Sequence, residues 1–98
     1  MTISKDLNGS ELGIALEGRL DTTTAPQLES EIKESLGGIS SLCLDLAKLE
    51  YISSAGLRVL LSAQKVMNRQ GEMKIKNVSD AIMEIFEVTG FLDILTIE

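Results

Sequence analysis

Tyr51-Ile52-Ser53-Ser54-Ala55-Gly56-Leu57 is the stretch on which the reading of this chain turns. Before it, Leu42-Cys43-Leu44-Asp45-Leu46 reads as a buried strand. After it, apolar residues recur at helical spacing from Leu57 to Gln70. Two serines therefore sit where a strand hands over to a helix. A serine at such a junction caps the helix or serves as a reacting group.

The helix after the serines has a polar stripe, Arg58, Ser62, Lys65 and Arg69. Opposite lie Gly56, Leu60, Ala63 and Met67, suited to close packing on a sheet. Leu57 and Leu61 fall on the flank with Gln64 and Asn68, either at the edge of the core or in an exposed apolar patch, the core edge being the expected place for either alone.

Upstream, residues 2–7 read as a first strand. Asn8-Gly9 follows as a hairpin turn in which both residues take positive φ. A second strand runs from Glu11 to about Gly18, with Leu12, Ile14 and Leu16 on one face. Gly18-Arg19-Leu20-Asp21 leaves the sheet. Thr24-Ala25-Pro26-Gln27 then fits a capping box. Ala25, Leu28, Ile32 and Leu36 recur at helical spacing, Glu29 and Lys33 pair outside, and Gly37-Gly38 stops the helix. Strand, helix, strand in that order implies a right-handed crossover and parallel pairing.

Downstream, Gly71 ends the second helix, and Met73 and Ile75, with Val78, mark a further strand. Ser79 is a good N-cap, with Asp80 in the first turn. Ile82, Ile85, Phe86 and Thr89 make a third helix, and Gly90 closes it. Leu92-Asp93-Ile94-Leu95-Thr96-Ile97 reads as a turn and a last strand. The expected fold is a single α/β domain over residues 1–98, in the order β-β-α-β-α-β-α-β. Its mostly parallel or mixed sheet has about five strands and carries three helices.

With 98 residues the chain suffices for one core. Hydrophobic residues make up 44%, which excludes a disordered chain, and aromatics only 3%, so the core is aliphatic. A net charge of −6 argues against nucleic acid as a partner. There is no histidine, so a Ser-His-Asp triad is excluded. Gly-x-Ser-x-Gly, Walker A and Gly-x-Gly-x-x-Gly are absent. The single cysteine, Cys43, reads as a small buried hydrophobe, and the common zinc sites are ruled out. Glu29, Glu31 and Glu34 read as a solvated helix surface, and Asp21 with Asp45 makes a weak metal pair. An enzyme is the poorer reading, with no cofactor and no metal expected. Without disulfides, signal peptide or spanning segment, the expected place is the cytoplasm.

Three stretches together resemble the STAS domain of the anti-sigma factor antagonists. They are Leu44-Asp45-Leu46 through Tyr51-Ile52-Ser53-Ser54-Ala55-Gly56-Leu57-Arg58-Val59-Leu60-Leu61, Gly18-Arg19-Leu20-Asp21, and Phe86-Glu87-Val88-Thr89-Gly90-Phe91. The resemblance covers essentially the whole chain. It implies a cytoplasmic switch whose unphosphorylated form binds an anti-sigma factor and so releases a sigma factor. The partner it implies is also a serine kinase of the GHKL ATPase class, with a serine phosphatase reversing the modification. The family's motif is Asp, phosphorylated Ser, small residue, Gly, Leu. On this chain the acceptor position falls on Ser54, followed by Ala55 and Gly56-Leu57, while Ser53 replaces the Asp and becomes a second candidate.

The partner-binding residues so implied are Asp21, Thr22, Thr23, Ser53, Ser54, Ala55, Gly56, Leu57, Arg58 and Leu61. Two alternatives stay open, and the loss of the Asp favours the first. One is a constitutive STAS scaffold or transport-system subunit in which Ser54 only caps. The other is a domain that binds a nucleotide or small molecule. Neither membrane insertion nor nucleic-acid binding is expected, and the oligomeric state stays open, with a monomer favoured.

Overall fold

Two-residue alternation puts Leu12, Ile14 and Leu16 on one face of a strand, and Leu42, Leu44 and Leu46 on the same face of its neighbour; all six are buried. The structure, a computed structural model, describes residues 1–98. Its elements are β1 (Thr2–Asn8), β2 (Glu11–Leu20), α1 (Ala25–Ser35), β3 (Ser41–Ile52), α2 (Ser54–Met67), β4 (Glu72–Lys76) and α3 (Asp80–Thr89), then a short 3-10 turn, Phe91–Asp93. The four strands lie in the order β1-β2-β3-β4. β1 pairs antiparallel with β2, while β2, β3 and β4 are mutually parallel, as the helical crossovers demand.

One cluster of 24 buried residues joins the sheet to the helices. Ala25, Leu28 and Ile32 enter it from α1, Gly56's neighbours Leu60, Ala63 and Met67 from α2, and Ile82 and Phe86 from α3. Every residue expected on the sheet-facing side of α2 is buried there. The other face of the sheet is open. Gly13, Cys43 and Lys74 are cross-strand partners on it, as are Ala15, Asp45 and Lys76.

Several expectations are corrected. The last strand does not form. Gly90 adopts a left-handed φ of 80° and Asp93 N donates to Gly90 O at 3.3 Å, so the chain coils into the 3-10 turn. Only a single parallel bridge remains, Ile75 to Ile97, and the sheet has four strands rather than about five. The hairpin loop is Gly9-Ser10 rather than Asn8-Gly9, because Asn8 still pairs with Glu11 and only Gly9 has positive φ. That matches a turn with glycine at its first central position. β3 runs past Leu46 to Ile52, and β2 past Gly18 to Leu20. Register shifts between Ala15 and Glu17 and between Gly18 and Arg19 break the alternation there, so buried Leu46, Leu49 and Ile52 fall three apart. Cys43 is half-buried on the open face instead of lying in the core.

Candidate functional site

Leu20 and Ile52 are the last paired residues of β2 and β3, so both strands end together at their carboxyl ends. Ser53 N donates to Leu20 O at 2.9 Å and ties the following loops together. This is the edge where open α/β sheets place their sites.

On one side the chain turns through Asp21-Thr22-Thr23-Thr24 into α1. The capping box is not what holds it. Thr24 makes no side-chain cap bond. Its hydroxyl donates back to Arg19 O at 2.8 Å and accepts from Asp21 N at 2.8 Å. Asp21 organises the turn instead: its Oδ1 accepts from Thr23 Oγ1 at 2.7 Å, Thr23 N at 3.0 Å and Thr24 N at 3.2 Å. The box fails because each of its parts is engaged elsewhere: the Thr24 hydroxyl with Arg19 O and Asp21 N, Thr24 N with the Asp21 carboxylate of an Asx-type turn, and Gln27 N with Thr24 O at 3.0 Å. The Thr23 hydroxyl, with the Thr23 and Thr24 N–H groups, holds the Asp21 carboxyl below its ordinary value, against a smaller opposing effect of burial.

On the other side two serines divide two roles. Ser53 is extended, at φ −96° and ψ 175°, and its Oγ accepts from Gly56 N at 3.3 Å. It is the N-cap of α2. Ser54 is the first residue of the helix, exposed, with a hydroxyl that bonds no protein group. No acidic residue occupies this first turn. The free N–H groups and the positive end of the helix dipole are thus left without a counter-charge.

Ala55 and Leu61 are half-buried, while Thr22, Thr23, Ser54 and Arg58 are exposed. Gly56 and Leu57, expected among the partner-facing residues, are buried. A Cβ at Gly56 would lie 2.7 Å from Leu20 Cγ, so glycine here lets α2 sit down on the sheet. Both residues therefore lie beneath the exposed surface. Thr22, Ala25, Pro26 and Glu29 from one side, and Ala55, Arg58 and Val59 from the other, line a shallow depression of about 210 Å³ between the helices.

One pair was missed in the sequence. Arg19 and Tyr51 are cross-strand partners, and the guanidinium carbon lies 4.4 Å from the ring centroid. Arg19 Nε is also 3.9 Å from Asp21 Oδ2. The only available signal was the parallel pairing of β2 with β3, and the register shift just before Arg19 hides it. The pairing of Asp21 with Asp45 as metal ligands fails. Asp45 precedes Ile52 by seven residues along β3, about 23 Å from the site at strand spacing. It is held instead by Ala47 N at 3.0 Å and Asn77 Nδ2 at 3.1 Å, and these bonds lower its pKa. No group of three or more histidine, cysteine or acidic residues able to hold a metal ion is present.

The family profile described as Mlab, STAS domain, matches residues 3–96. BtrV of Bordetella bronchiseptica, provisionally named an anti-sigma factor antagonist, is 37% identical over 99 residues, spanning 99% of this chain and 85% of that protein. Among solved structures, an anti-sigma factor antagonist from Mycobacterium paratuberculosis superposes with a TM-score of 0.88 at 21% identity, over 98% of this chain and 83% of the other. The Bacillus cell fate determinant SpoIIAA in its phosphorylated form gives 0.77 at 17%, over 99% and 91%. Those two likenesses establish the fold, and the profile match with the identity to BtrV establishes the lineage. This chain belongs to the STAS domain family, among the anti-sigma factor antagonists.

Proposed function

We propose that this chain is an anti-sigma factor antagonist whose docking surface is gated by a phosphate on Ser54. The observation that carries this reading is the division of labour at the α2 N-terminus. Ser53 supplies the cap, which leaves the Ser54 hydroxyl exposed and unengaged. An acceptor whose oxygen held the helix end would have to break that bond to react; Ser54 does not.

The surface around it comprises Asp21, Thr22 and Thr23 on one loop, then Ser53, Ser54, Ala55, Arg58 and Leu61 on the other. In the unphosphorylated state it binds an anti-sigma factor that is also a serine kinase of the GHKL class. In the transfer step Ser54 Oγ bonds to the γ-phosphorus of ATP, the bond to the β-phosphate oxygen breaks, ADP leaves, and the hydroxyl proton passes to a base on the kinase. A serine phosphatase hydrolyses the ester.

Phosphate at this position adds about −1.5 to −2 charges without unfolding the helix, since a helix N-terminus favours an anion. The partner must desolvate that charge. A cost of about 3 kcal/mol lowers affinity roughly 100-fold, enough for a switch with no shape change.

The test is phosphate mapping by mass spectrometry after treatment with the cognate kinase and ATP. One phosphate on Ser54, retained by Ser53→Ala and lost in Ser54→Ala, is the expected result; a phosphate on Ser53 defeats the assignment. A second reading is favoured by one observation, that Ser53 replaces the family's Asp. It makes the chain a constitutive scaffold or transport-system subunit. Partner binding unchanged by Ser54→Asp would select it.

A further inference from the structure

We infer that Arg58 captures the phosphate of phosphorylated Ser54 within the same helix, so that modification also withdraws a cation from the docking surface. The inference rests on Ser54 being the phosphorylated residue, and it adds a second element to that switch.

Ser54 opens α2 and Arg58 follows four residues later; both are exposed. On an α-helix such residues lie one above the other, about 5–6 Å apart at Cβ. The order also matters, because an acid one turn N-terminal to a base is the better arrangement for the helix dipole. Arg58 makes none of the ion pairs in the structure, which join Lys5 to Glu31, Arg19 to Asp21 and Lys33 to Glu29. It is therefore free for a new anion.

The charge around it points the same way. The chain as a whole carries a net charge of −6. α1 bears Glu29, Glu31 and Glu34, and α3 bears Asp80, Glu84 and Glu87. α2 alone has no acidic residue, and its charges are Arg58 and Lys65. Glu29 of α1 shares the shallow depression with Arg58 but pairs with Lys33 at 3.4 Å. Asp21, on the loop that also supplies Thr22, is held by Thr23 and Arg19. Both carboxylates repel a phosphate, so a dianion on Ser54 needs a cation close by, and Arg58 is the one on its own helix face. A guanidinium meets phosphate oxygens with two parallel donors, which an ammonium does not do.

The experiment places phosphoserine at position 54 by translation and follows its second ionisation by phosphorus NMR. In the wild-type chain that pKa is expected to lie about 0.3 unit below its value in Arg58→Gln, with only part of the difference restored by Arg58→Lys and all of it lost in high salt. Equal values in wild type and Arg58→Gln overturn the inference. Because translation installs the phosphate, this result stands or falls without the kinase. The kinase assay reports separately on whether Ser54 is the natural acceptor.

Discussion

The N–H of Ser53 donates to the carbonyl of Leu20 at 2.9 Å, which fastens the residue that caps α2 to the last residue of β2. The bond ties the two segments of the site together at one edge of the sheet. It also fixes how closely α2 approaches, since Leu20 and Ile52 lie directly beneath Gly56.

Gly56→Ala tests that approach. The added Cβ would meet Leu20 Cγ at 2.7 Å and Ile52 Cγ1 at 2.9 Å, both in side chains that are themselves buried. Overpacking of this kind costs about 1–3 kcal/mol, against a gain of about 1 kcal/mol in helix propensity. A net loss of about 1 kcal/mol is expected in urea denaturation. A variant more stable than wild type would show that the helix can lift off its seat without penalty.

The two serines should respond differently to truncation. Ser53→Ala removes the oxygen that accepts from Gly56 N, and a lost N-cap costs about 1 kcal/mol. Ser54→Ala removes a hydroxyl without a protein partner and should stay within about 0.5 kcal/mol of wild type. Denaturation midpoints of the two variants decide it. Equal losses would mean that both serines share the cap.

The strands and helices were legible where apolar residues kept one period. Leu12, Ile14 and Leu16 gave β2, and Gly56, Leu60, Ala63 and Met67 gave the buried side of α2. Legibility failed where a local bond overrode a pattern. Asp21 took the Thr24 N–H that the Gln27 side chain was expected to meet, and the Thr24 hydroxyl turned back to Arg19 O and Asp21 N. The register shift before Arg19 concealed its stacking on Tyr51. Leu92 to Ile97 was expected to give a turn and a strand, but the 3-10 turn takes Leu92 and Asp93, and only Ile97 reaches β4, by its bridge to Ile75. The helical period already put Gly56 on the buried side and Leu57 at the edge of the core, whereas the motif counted both among the docking residues, because a motif names neighbours in sequence without saying which of them face solvent.

Asp21 links the site to pH. Its folded pKa is lowered from 3.8, chiefly by the Thr23 hydroxyl. A depressed carboxyl contributes stability that is complete above its unfolded pKa and is lost as pH falls through the folded value. Asp21→Asn should therefore be less stable than wild type at neutral pH, with the gap closing as pH falls below about 4. Urea midpoints across pH 7 to 3 give the comparison. Asp45, lowered by Ala47 N and Asn77, is expected to behave alike and serves as a control remote from the site. A gap for Asp21→Asn that stays constant through this range would assign its effect to shape instead of charge.

Ser54→Asp separates a charge gate from mere damage, because the two consequences run in opposite directions. The first turn of α2 has no acid, and an Asp placed there meets the positive end of the helix dipole. Folding stability should rise by about 0.3–1 kcal/mol. Partner binding should fall at the same time, by about tenfold, since one carboxylate bears less charge than a phosphate and about 1.4 kcal/mol corresponds to that factor. Calorimetry of binding and thermal denaturation of the same preparation provide the two readings. A variant that binds weakly because it is unfolding would lose on both, whereas one that is more stable and binds as tightly as wild type would show that charge at this helix end does not govern docking.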